Sequence, residues 1–105
     1  MIVKAWNNGQ HRETGAGYGV KLNSADRGRY FQRAWKSVTL EIAGRGDPVV
    51  IRSVGSPSFW GSCSELRHRA IGKWLREQGM APWSKGMPPT LKLEHIEDNR
   101  FSLTC

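Results

Sequence analysis

The chain is short of cysteine, short of acid, and has no long apolar run. Two cysteines, Cys63 and Cys105, cannot make a disulfide framework, and no Cys-x-x-Cys occurs. A reducing, cytoplasmic setting is therefore expected. The three histidines, His11, His68 and His95, lack metal-ligand spacing. Aspartate is confined to Asp26, Asp47 and Asp98, and Glu94 is followed by His95 and Ile96, so the acidic-x-Lys arrangement of many metal nucleases is absent. His11-x-Glu13 has no cysteine pair to complete a zinc deaminase site. Gly55-Ser56-Pro57-Ser58 is no nucleophile elbow, and Cys63 and His68 are badly spaced for a nucleophile and its base on one helix. No catalytic residue, metal or cofactor is expected. No apolar stretch reaches the roughly 18–20 residues that cross a bilayer, so no membrane partner is expected. Met1 to Trp6 is too short and mixed for a secretory signal.

What the chain has is positive charge and tryptophan. Its 105 residues suit one domain, 1–105, and exclude a TIM barrel or a full dinucleotide-binding fold. Lys and Arg number 16 against 9 Asp and Glu, a net +7 that favours a polyanionic partner. Five Trp help such a small chain build a core.

Ile2–Trp6 reads as a strand ended by the turn Asn7-Asn8-Gly9. A second strand falls within Thr14–Leu22, and Ser24 can cap a short helix over Ala25–Gln32. Val38–Ile42 alternates apolar and polar, Gly44–Pro48 turns the chain, and Val49–Val54 is a further strand. Ser62-Cys63-Ser64-Glu65 fits a capping box opening an amphipathic helix, Cys63–Gln78, with Gly79 beyond its end. After a Pro- and Trp-rich loop, Thr90–Ile96 and Phe101–Thr104 form a last hairpin. The fold class predicted is α+β. Its architecture is a mostly antiparallel curled sheet or partly open barrel of about six strands, with one amphipathic helix and one short helix.

On a helical wheel, Leu66, Ala70, Ile71, Trp74 and Leu75 share one arc. His68, Arg69, Gly72, Lys73 and Arg76 share the other, a basic stripe whose glycine either admits a phosphate backbone or packs on a neighbouring loop. Arg67 falls in the apolar arc, so a structural role is expected for it. In an extended strand, Gly15, Gly17 and Gly19 leave one face bare, open to a ligand or covered by a tryptophan. A second basic stretch, Lys21–Lys36, carries Lys21, Arg27, Arg29, Arg33 and Lys36 with Tyr30, Phe31 and Trp35 interleaved, a pattern suited to nucleic acid. Phe31 and Trp35 also suit a core. Acids gather at Glu94, Glu97 and Asp98.

The order of elements resembles the B3-type DNA-binding pseudobarrel. The likeness is carried by Tyr30-Phe31, by Trp35–Leu40 opening a strand, and by Lys85-Gly86 before the closing hairpin. That resemblance implies double-stranded DNA held by two loop arms, near Gln10–Arg12 and near Arg52-Ser53.

The function expected is a small, non-enzymatic nucleic-acid-binding domain, with double-stranded DNA as its target. Phosphates would be met by Arg27, Arg29, Arg33, Arg69, Lys73 and Arg76, and bases read by Gln10, Arg12 and Arg52. The two basic regions would then share one side of the fold. A protein-binding module, with Trp60 and Trp83 as an apolar patch, is the second reading. A pocket for a small ligand beside Gly15, Gly17 and Gly19, with Gly72 also free for close approach, is the third.

Overall fold

A computed structural model describes residues 1–105. Seven strands make one sheet: β1 (Ile2–Asn7), β2 (Tyr18–Lys21), β3 (Val38–Ile42), β4 (Val49–Ile51), β5 (Glu65–Arg67), β6 (Thr90–Glu97) and β7 (Arg100–Thr104). Helix α1 (Ser24–Tyr30) follows β2, and α2 (Arg69–Glu77) follows β5. The fold is α+β, and the sheet curls into a nearly closed barrel in the order β4-β3-β7-β6-β1-β2-β5. Every pairing is antiparallel except β3 with β7.

Alternation builds this barrel. Val3 and Ala5 of β1, Val38, Leu40 and Ile42 of β3, Leu91 and Leu93 of β6, and Phe101 and Leu103 of β7 all point inward and are buried. Each large aliphatic or aromatic side chain removed from water contributes about 1.5–3 kcal/mol. The aromatic stretch after α1 joins that interior: Phe31 stacks on Phe101 at 4.6 Å, and Trp35 meets Phe31 edge-on at 6.0 Å.

The seventh strand comes from the segment whose spacing predicted the first turn of a long helix. Glu65–Arg67 pairs with β2, Leu66 is fully buried, and α2 begins only at Arg69. The free edge of β2 and a core site for Leu66 outweigh helix propensity here. The capping box is therefore not formed. His68 caps α2 instead, its Nδ1 accepting from the Ala70 amide at 2.9 Å. Ser64 turns inward to accept from Arg27, and Glu65 is buried with Lys21 at 3.9 Å. Arg67 is an exposed strand residue rather than a member of an apolar arc. Two smaller corrections follow the same logic. Asn23, not Ser24, caps α1. The strand begun at Val49 ends at Ile51, where two 3-10 turns, Ser53–Gly55 and Pro57–Trp60, take over.

The seam between the edge strands β4 and β5 is bridged by one hydroxyl. Ser53 Oγ donates to Glu65 O at 2.8 Å and accepts from Arg67 N at 3.2 Å, standing in for a ladder contact. Beyond that bridge the edges part.

The helices leave opposite ends of the barrel. Antiparallel β2 and β5 pair Lys21 with Glu65 and Gly19 with Arg67. α1 departs beyond Lys21 and α2 beyond Arg67, so the two basic regions do not share a side. This overturns the expectation from sequence, which read Glu65–Arg67 as helix and so had no strand there, paired with β2, to send α2 the other way.

Candidate functional site

The four glycines singled out in the sequence are sites of close approach by the chain itself. Gly15 and Gly17 lie in a turn, at φ +85° and +81°, and only Gly19 belongs to β2. A Cβ on Gly15 would strike Arg69 O and the Lys73 amide of α2, and one on Gly19 would strike Leu66 O of β5. On Gly17 it would lie 2.6 Å from the Asn8 side chain. Gly72 is buried, and a Cβ there would lie 2.6 Å from both Gly15 Cα and Tyr18 Cδ2. Trp6 stands opposite Gly19 in the β1–β2 pairing and borders one hollow with Gly17. Gly72 also leaves the basic stripe, because that side of α2 faces the turn before β2. The exposed cations of α2 are Arg69 and Lys73.

Those two belong to a cationic seam. Arg67, His68 and Arg69 follow one another out of β5, and across the parted edge stand Arg45, Val49 and Arg52. Thr14, Arg45, Val49, His68, Arg69 and Lys73 line one hollow of about 490 Å³. Arg45, Arg52, Arg67, Arg69 and Lys73 are all exposed, and none pairs with a carboxylate. His68 reports the local potential. Its pKa is held below the ordinary imidazole value by burial first, then by the charges of Arg69, Arg45 and Arg52. No carboxylate lines that hollow.

The other phosphate candidates are distributed differently. Arg27 is structural: its Nη1 donates to Phe59 O at 3.0 Å, Gly61 O at 2.9 Å and Ser64 Oγ at 2.9 Å, and it lies 5.3 Å from the Trp60 ring centre. This corrects its assignment to phosphate. Arg33 covers the same ring at 4.7 Å, and Arg29 lies over Tyr30 at 5.5 Å. Arg29 also shares a hollow with Asp98 of the acidic hairpin, which lowers the field at that end. Arg76 is a clasp, donating to His11 O at 3.3 Å and to the Tyr18 hydroxyl at 3.4 Å.

Of the base-reading candidates, Arg12 Nε donates to Gln10 Oε1 at 2.8 Å, so this exposed pair is tied to itself. Arg52 stands apart from it, on the seam. His11, between them in sequence, turns inward: its Nδ1 lies 2.8 Å from the Tyr18 hydroxyl, and its ring meets Trp83 edge-on at 4.8 Å. That contact docks the Trp- and Pro-rich loop against the turn before β2.

One residue was missed. Trp6 is half-buried on the outer face of β1 and lines two hollows. The first, about 450 Å³, includes Gly17, Arg67, His68 and Arg69. The second, about 610 Å³, includes His11, Trp83 and Lys85. The signal was available: with Val3 and Ala5 inward, period two turns Trp6 outward.

No helix is long and apolar enough to cross a membrane. Compared with known proteins, the chain matches no family model, no curated protein and no solved structure.

Proposed function

We propose that the chain is a small, non-enzymatic nucleic-acid-binding domain whose cationic seam holds a phosphate backbone. One observation carries this reading: Arg45, Arg52, Arg67, Arg69 and Lys73 gather around His68 with no carboxylate among them. Side chains of like charge repel unless something neutralises them, and a phosphate chain does so while releasing its counterions.

The alternatives have less to stand on. Trp60 and Trp83 are half-buried, the first under Arg27 and Arg33 and the second against His11 and Tyr18, so they make no apolar docking patch. Of Gly15, Gly17 and Gly19, Gly17 alone lines a hollow.

Fluorescence anisotropy with labelled oligonucleotides at low and moderate salt tests the proposal. Affinity should fall steeply with salt, and Arg69→Ala with Lys73→Ala should flatten that dependence. Absence of binding to duplex and single strand alike at low salt would sink it.

A further inference from the structure

We infer that Trp6 is a stacking platform for an unpaired nucleobase, so the seam takes a single-stranded segment. This rests on the nucleic-acid reading above and says which form of nucleic acid the site favours.

Trp6 stands apart from the other four tryptophans. Trp74 is fully buried. Trp35 packs on Phe31 and Phe101, Trp60 on Phe59 beneath two guanidinium groups, and Trp83 on His11 and Tyr18. Trp6 makes no ring–ring contact, lies under no cation and is not part of the hydrophobic core. Its ring is partly covered, and what remains open faces the two hollows.

The sheet register then sets what lies beside it. Trp6 pairs with Gly19 and Gly19 with Arg67, and residues directly opposite in a sheet share a face. The outer row is therefore an indole, a position without a side chain, and a guanidinium. Gly19 is buried and required by packing against Leu66 O, so no side chain separates the indole from the guanidinium. Arg67, His68 and Arg69 line the hollow on one side of Trp6, and Lys85 lines the one on the other. Both hollows fall in the range of about 300–1,000 Å³ common for ligand sites. Cation, ring, cation is the order in which a single strand presents phosphate, base, phosphate.

Strandedness follows from what a ring face can reach. In a duplex, both faces of each base are covered by stacked neighbours, and only edges and phosphates are offered. A tryptophan face can be used only by a base that is splayed out, as in a single strand, loop or bulge. The His68 ring fits this role. Its Nδ1 is occupied by the Ala70 amide, which leaves the other nitrogen of the neutral ring as a donor.

Anisotropy decides the matter with three labelled probes: a deoxythymidine strand of roughly 12 nucleotides, the same strand with abasic sites, and a duplex of equal length. The intact strand should bind tightest. Trp6→Ala should weaken it roughly 5- to 150-fold, the value of one stacked base, while leaving the salt dependence unchanged. The abasic strand should be nearly indifferent to the substitution. Thermal melting checks that the variant folds. If it does not, Trp6→Phe, which keeps a ring, and Trp6→Leu, which keeps bulk alone, replace it; Phe should keep most of the affinity and Leu should lose the same factor of roughly 5- to 150-fold. Equal binding of intact and abasic strands, or a duplex bound as tightly as the single strand, would overturn the stacking role and leave the seam reading standing. If no probe binds at low salt, both fall together.

Discussion

Gly15 and Gly72 lie backbone against backbone: a Cβ on Gly72 would lie 2.6 Å from Gly15 Cα, and one on Gly15 would run into the α2 main chain at Arg69 and Lys73. This contact holds α2 against the turn that leads into β2, and so sets where Arg69 and Lys73 emerge. Alanine in a helix interior normally stabilises by about 1 kcal/mol relative to glycine. At Gly72 the sign should reverse, with Gly72→Ala destabilising by about 1–3 kcal/mol through overpacking. Gly15→Ala should be at least as harmful, because φ there is +85°. Urea denaturation should show a lower midpoint at unchanged slope.

Ser53→Ala removes the hydroxyl that joins β4 to β5, leaving Arg67 N and Glu65 O without that partner. A cost of about 1–3 kcal/mol is expected. Amide exchange at Arg67 should accelerate before that of the β6–β7 hairpin, since opening the seam is local. Uniform acceleration across the barrel would contradict this.

Arg27 and Arg69 should separate stability from binding. Arg27→Ala abandons two carbonyls and a buried serine, and should cost about 1.5–3 kcal/mol, in the range of hydrogen bonds to charged groups. It should leave the salt dependence of nucleic-acid binding intact. Arg69→Ala and Lys73→Ala should each stay within about 0.5 kcal/mol of the parent stability. Each should lower the slope of log affinity against log salt by roughly 0.7–0.9.

His68 should make stability fall in mild acid. Burial and then Arg69, Arg45 and Arg52 lower its pKa from 6.5, and capping needs its Nδ1 lone pair. Between 6.5 and that lowered value the unfolded chain binds a proton that the folded chain does not. The stability this confers is present above 6.5, declines as pH drops through that window, and levels off below it. His68→Asn keeps a capping acceptor and should remove this step. Parallel urea titrations of both proteins from neutral to acid pH check it, and identical pH profiles would rule it out.

Part of the site was readable in the residues. Arg69 and Lys73 fall on the exposed side of α2, as their spacing implied, because i to i+4 neighbours share a face whatever the helix packs against. Arg27 was misread because nothing local to a guanidinium gives a sign that three acceptors at Phe59, Gly61 and Ser64, 32 to 37 residues further along the chain, will surround it. Arg67 was misread because a helical period and a strand period both place Leu66 inward, and three residues cannot separate them. Arg45 joins the seam from a hairpin that had no assigned role.

By itself, the sequence determined the α+β class, the alternating strands that fill the barrel, and an excess of positive charge with few carboxylates to cancel it. Those follow from local period and composition, which need no knowledge of partners in space. The tertiary structure decided where that charge gathers. An antiparallel strand at Glu65–Arg67 sends the two helices to opposite ends, Gly15 and Gly72 fix the lie of α2, and Ser53 holds one end of a seam that parts between Val49 and His68. Each is a contact between residues far apart in the chain, and only closure of the barrel brings them together.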